Sequence, residues 1–314
     1  MEAYIEKCKT KYLPWRGGAY AKNGWEYCLG SKRDCERFVE DGAINLPWGT
    51  KPDENEYQKI KALRLIPNRN QLKNTAIPSF VRDLVNLEFL AMPLPFVSGI
   101  KPNGIPDSLK SLMLINSKEC GEVIKEKDLR WPEEAVLPNL RALQFFDLGG
   151  APEIDSLLGI SENTLPALQY LECGIKKAKR KLDTIAELRG LKFLALEHVN
   201  NYNIVNFINS PLKALSIVDA GNKFPIASIT DIKSTELLWL NNIRCELDCQ
   251  IFVSLPRLME VNVLNSRKIV NINALLTCEN LESIQFINCG RPFNEKVKQL
   301  LNAKNYKRLE IDFA

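Results

Sequence analysis

LKALSI, residues Leu212–Ile217, carries aliphatic residues at its first, fourth and sixth places. The phrase returns as LKFLAL from Leu191, LMEVNV from Leu258 and LESIQF from Leu281, and upstream as LRALQF from Leu140 and LKSLML from Leu109. Weaker copies begin at Ile60, Leu87, Leu168, Thr235 and Tyr306, making eleven in all at intervals of 21 to 31 residues. Self-similarity at this period marks a solenoid, in which each unit buries its apolar side only by stacking on its neighbours. Successive side chains of a strand alternate between faces, so the fourth and sixth residues point one way and the third, fifth and seventh the other. A buried column and an exposed column are therefore expected.

The LxxLxL phrase resembles the strand of leucine-rich repeat proteins, over about residues 60–314. That resemblance implies an α/β solenoid: a curved horseshoe with a parallel β-sheet on its concave face and short helices or turns on its convex face. The family usually places Asn at the ninth position, where this chain has Asn68, Ser117, Ala220, Ser266 and Cys289 in five of its copies. Asn116, Asn242, Asn265 and Asn288 instead stand one place earlier, which predicts a different turn with side-chain amides bonding the turn backbone. LPNL from Leu137, LPAL from Leu165 and LPRL from Leu255 resemble the lead-in of short bacterial repeats.

Residues 1–59 lack the phrase. They hold Trp15, Trp25 and Trp48, a turn at Arg16, Gly17 and Gly18, and a helical pattern around Asp34–Glu40. The first repeat of a solenoid has an apolar end to cover, so this segment is expected to be an N-terminal cap, with a tryptophan-lined partner site as the alternative. The repeat domain then occupies residues 60–314. Aliphatics at helical spacing predict short convex helices at Leu182, Ile185 and Leu188; Ile204, Phe207 and Ile208; Ile272, Leu275 and Leu276; and Val297, Leu300 and Leu301. The insertion Lys118–Pro138 predicts a rim loop, and the last phrase, Tyr306–Ile311, is either covered or leaves an edge open to pairing.

Composition narrows the function classes. With 42 basic and 38 acidic residues the formal charge is +4, too mild to imply a nucleic-acid partner. The start, MEAYIEKCKTKYLPW, has charges where a secretory segment needs an apolar run, and no later run approaches a membrane span, so a soluble cytoplasmic protein is expected. Nine scattered cysteines form no CxxC pair and read as small apolar fillers; neither a metal nor a cofactor is called for. His198, the single histidine, falls at a turn, and no Walker-type loop or HExxH pairing occurs, so the chain reads as a non-enzyme. A carboxylate pair from Glu172 and Glu197 is the one hydrolytic alternative. The basic run Lys176, Lys177, Lys179, Arg180 and Lys181 reads as a solvated loop, with phosphate binding as the alternative.

The expected concave column supplies the candidate partner-binding residues: Phe89, Phe146, Tyr170, Glu172, Phe193, Glu197, Trp239, Asn241, Glu260 and Asn262. Its aromatics offer contact area of the kind that dominates interfaces, and Ala91, Ser111, Ala142, Ala195, Ala214 and Ser216 would let a partner approach closely. Between Leu87 and Ile287 the charged members of the column, Glu172, Glu197 and Glu260, are all acidic and favour a basic partner. The leading expectation is a protein-binding scaffold acting as a stoichiometric inhibitor or immunity-type protein that covers a basic toxin or enzyme. The alternative is an adaptor or effector that recruits a target to another enzyme.

Overall fold

A computed structural model describes residues 25–30, 44–47, 51–65, 71–73, 76–116, 130–147, 159–174, 188–199, 211–290 and 295–312. Expectations for Asp34–Glu40, for the basic run Lys176–Lys181, for Leu182 and Ile185, and for Ile204–Ile208 lie outside them. The chain forms two compact units, residues 2–171 and 172–314.

In the first unit each phrase becomes a strand beginning at its third residue or close to it. Before the phrases come β1 (Trp25–Gly30) and β2 (Ile44–Pro47); then follow β3 (Ala62–Leu65), β4 (Phe89–Pro93), β5 (Ser111–Asn116) and β6 (Ala142–Asp147), with β7 (Tyr170–Gly174) crossing the boundary between the units. The strands are parallel in the order β2-β1-β3-β4-β5-β6, so the N-terminal segment contributes two strands to the same sheet as the first phrases. The fourth and sixth residues of the phrases, Leu63, Leu65, Leu90, Met92, Leu112, Leu114, Leu143 and Phe145, are buried, as are the leading residues Ile60, Leu87, Leu109, Leu140 and Leu168. Each such side chain contributes about 1.5–3 kcal/mol, and since its partners belong to the next repeat the stabilisation is shared along the stack.

The second unit contains β8 (Phe193–Glu197), β9 (Ala214–Val218), β10 (Leu237–Asn241), β11 (Leu247–Asp248), β12 (Glu260–Leu264), β13 (Ile269–Val270), β14 (Ser283–Ile287) and β15 (Arg308–Asp312). β8, β9, β10, β12, β14 and β15 run side by side in parallel, while β11 and β13 pair separately. Their register is uniform: Ala214, Leu237, Glu260, Ser283 and Arg308 lie in one row. A 23-residue interval on β9 to β14 returns each strand to the same phase, which explains the absence of slippage.

The stack is stitched at its strand entries. The carbonyl of a second phrase residue accepts two amide hydrogens from the next repeat, as Lys61 O does from Glu88 and Phe89, Glu236 O from Met259 and Glu260, and Glu282 O from Lys307 and Arg308. The residue before the phrase adds a side-chain bond to the preceding repeat: Ser108 Oγ to Leu87 O, Ser234 Oγ to Leu212 O, Asn280 Nδ2 to Pro256 O. At the second place opposite charges on neighbouring repeats form ion pairs, Lys110–Glu88 at 2.9 Å and Lys213–Glu236 at 2.8 Å, while Lys110 beside Arg141 and Lys192 beside Lys213 set like charges together.

Among the described residues the segments between strands are mostly 3-10 turns, including Ile226–Asp231 and Ile272–Thr277, with two short α-helices, α1 (Gln250–Val253) and α2 (Glu295–Asn302). The helical spacing at Ile272 and Leu275 and at Val297 and Leu301 matches buried faces of these elements, whereas Leu300 is exposed. Among the described residues no helix is long and apolar enough to cross a membrane.

Candidate functional site

The face made by third, fifth and seventh phrase residues is not uniformly open. In residues 2–171, Phe89, Ala91 and Met113 form a buried cluster with Ala62, and Ile115 packs against it. Register sets large beside small, Phe89 opposite Ser111 and Met113 opposite Ala91, at the narrow spacing of adjacent strands. Ser111, Ala142, Gln144 and Tyr170 are buried as well, and Phe89 and Tyr170 have 0% exposure. This half of the face is a second core layer. Phe146 lies on β6, with its side chain outside the described residues.

In residues 172–314 the same face is open only in places. Phe193 is buried; Ala214 sits between Phe193 and Leu237, and Ser216 between Ala195 and Trp239, so these small residues lie beneath their neighbours rather than at an accessible floor. Glu172, Glu197, Trp239, Asn241 and Glu260 are partly exposed, while Asn262 is fully buried. Trp239 stands opposite Asn262 on the adjoining strand, and Asn262 Nδ2 donates to Glu260 Oε1 at 3.1 Å. Asn262 Oδ1 is buried without a hydrogen-bond partner. The seventh places form a half-exposed row, Glu197, Val218, Asn241, Leu264 and Ile287, with apolar members between polar ones. Farther along, Gln285 Nε2 donates to Glu310 Oε2 at 2.9 Å, and the Arg308 guanidinium holds the Glu310 carboxyl below the ordinary glutamate range. Trp239, Asn241, Glu260 and Asn262 are thus gathered on two adjoining strands, with Glu197 in the same row as Asn241.

The eighth places build the edge of this face. His198, Asp219, Asn242, Asn265 and Asn288 all adopt left-handed backbone, φ between 52° and 58°. Asn and Asp tolerate that conformation better than most side chains. The amide hydrogens of the first four extend the ladder into the turn, each donating to a seventh-place carbonyl of the next strand, as Asn242 does to Leu264 O and Asn265 to Ile287 O. Their side chains bond neighbouring side chains rather than the backbone: Asn288 Nδ2 donates to Asn265 Oδ1 at 2.8 Å and Asn242 Nδ2 to Asp219 Oδ1, while Asn265 Nδ2 donates to the seventh-place Asn241 Oδ1 at 2.9 Å. His198 Nδ1 lies 3.3 Å from Asp219 Oδ2, which places the single histidine in this structural ladder. The ninth residues turn inward; Ser266 Oγ accepts from Ile243 N and Cys289 Sγ donates to Val263 O.

The four cysteines with described surroundings, Cys245, Cys249, Cys278 and Cys289, are reduced and buried, and burial pushes every one of their thiols above the ordinary value. Among the described residues no group of three His, Cys, Asp or Glu is placed to hold a metal ion. Sequence reading missed one feature of the edge: Arg244 and Arg267, 23 residues apart, occupy the tenth place of adjoining repeats, and that spacing was the available signal.

Comparison with known proteins bears on the fold. No protein-family model matches the chain. No curated protein sequence matches it either. A leucine-rich repeat protein of Leptospira interrogans matches in structure with a TM-score of 0.54 at 16% identity, over 95% of this chain and 74% of that one. Weaker structural similarity extends to internalin C2 of Listeria monocytogenes, with a TM-score of 0.39 and 16% identity over 69% of this chain and 90% of that one. A TLR13–ssRNA13 complex gives 0.47 and 14% over 80% and 37%. The chain has the leucine-rich repeat fold, an α/β solenoid with a parallel sheet.

Proposed function

We propose that this leucine-rich repeat chain is a protein-binding scaffold that holds a partner against the open part of its strand face in residues 172–314. The observation that carries this reading is the half-exposed Trp239, flanked by Asn241 and Glu260 on adjoining strands and bordered by the seventh-place row with Val218, Leu264 and Ile287. An amphipathic ring rimmed by polar groups and set on a rigid sheet suits an interface anchor, because little conformational freedom is lost when it is covered. Glu197 and Glu260 bias this surface towards a basic partner. A stoichiometric inhibitor or immunity-type protein covering a basic toxin or enzyme is the finer form of the reading. Such a role needs a stable surface and no catalytic group of its own.

The test uses the full chain as bait in a lysate of its source, beside Trp239→Ala and Glu260→Lys variants. A partner captured by the parent should bind the Trp239→Ala protein roughly 30-fold more weakly, the loss of about 2 kcal/mol typical of a hot spot. A captured enzyme whose activity falls at one-to-one stoichiometry would support the inhibitor form. Equal binding by parent and both variants would remove the strand face as the site.

A further inference from the structure

We propose that the turn edge of residues 172–314 carries a second site, for a small phosphate-bearing molecule, in a concavity of about 480 Å³ lined by Arg244, Arg267, Lys268 and the ladder residues Asn242, Asn265 and Asn288. The site follows from the repeat. A left-handed eighth residue and an inward ninth residue project the tenth outward, so Arg244 and Arg267, after strands held in uniform register, stand one repeat apart. Lys268 follows directly.

The cations of this edge are gathered in one concavity without a carboxylate in its lining. At strand entries Lys213 and Lys110 each reach a glutamate of a neighbouring repeat, Glu236 and Glu88, even where a second cation stands on their other side. Here Arg244, Arg267 and Lys268 stand near one another; among the described residues no carboxylate lines the concavity and none of the three is in an ion pair. The nearest polar contact of Lys268 Nζ is Asn222 Oδ1 at 3.4 Å. All three cations are exposed, so their arrangement contributes nothing to the core. Like charges held at one repeat's separation repel, and an anion between them relieves that repulsion. Two guanidinium forks match the paired oxygens of a phosphate, an ammonium adds a point charge, and the asparagine amides supply neutral hydrogen-bonding groups. The volume falls within the range of small-ligand sites, and the cations span only two repeats, which favours a compact phosphorylated molecule over a long polyanion.

Titration calorimetry on the full chain at low salt, with inorganic phosphate, pyrophosphate and ATP as probes, tests the site. Pyrophosphate or ATP should bind the parent, weaken as salt rises, and bind an Arg244→Gln/Arg267→Gln variant at least about tenfold more weakly. The ligand-free melting temperature of the variant should equal that of the parent, which separates loss of the site from loss of the fold. The Lys268→Gln variant should give a smaller reduction. Absence of binding by all three probes, or equal binding by parent and double variant, would overturn the inference. So would binding confined to a single-stranded oligonucleotide, which would assign the edge to nucleic acid instead.

Discussion

Replacing Asn265 tests whether the eighth-place ladder supports the edge of the sheet. Asn265 stands at φ 52°, donates to Asn241 Oδ1 at 2.9 Å and accepts from Asn288 Nδ2 at 2.8 Å. Both bonds are solvent-exposed, so their combined net worth is about 1 kcal/mol, at the low end for neutral hydrogen bonds. Alanine loses them and must also hold a left-handed conformation costing about 1 kcal/mol more than it costs Asn. Asn265→Ala should therefore destabilise by about 2 kcal/mol. Glycine loses the same bonds but accepts the backbone freely, at some cost in unfolded-chain entropy, so Asn265→Gly should fall nearer 1 kcal/mol. Urea denaturation gives the totals, provided the slope is unchanged between variants. Native-state hydrogen exchange at the Asn242 amide, which donates to Leu264 O, reports whether the loss is local. The reasoning fails if Ala and Gly variants are equally stable, or if Ala lies within about 0.5 kcal/mol of the parent, the range of an ordinary surface change.

Two further outcomes follow from the geometry. Gly159 has φ +84°, and a Cβ there would lie 2.3 Å from the carbonyl oxygen of Trp131 in the preceding repeat, whose side chain is buried and donates from Nε1 to Ala135 O at 2.9 Å. Gly159→Ala should cost about 2–4 kcal/mol by thermal or urea melting, and a change below about 0.5 kcal/mol would contradict the close approach. Raised thiol pKa values and burial should make Cys245, Cys249, Cys278 and Cys289 at least about tenfold slower to alkylate at neutral pH in the folded protein than in urea. Peptide-resolved mass spectrometry reads the rates, and rapid native labelling at Cys249 would count against the packing.

The candidate partner face was legible only in part. Phe89, Tyr170 and Phe193 share an alternation phase with Trp239, and nothing in the local pattern separates them; yet the first three are buried and Trp239 is half exposed. The difference depends on register partners and on what packs over each strand. Arg308, beyond the acidic part of the column, neutralises Glu310, a pairing invisible until two residues of one strand are seen with Gln285 on the next. The turn was anticipated more closely: Asn one place early did mark a different construction, but its amides bond neighbouring side chains, a relation between repeats rather than within one.

What the chain determined locally was the strand phase, the buried column from Leu63 to Phe286 and the 3.6-spaced apolar pairs on the segment following β14, because alternation and helical periodicity act over a few residues. Tertiary structure alone decided the participation of β1 and β2 in the sheet, the closure of the face around Phe89, and the convergence of Arg244, Arg267 and Lys268 at one edge. Each of these arises between residues more than twenty positions apart, or between segments with no shared pattern, where stacking rather than local preference sets the neighbours.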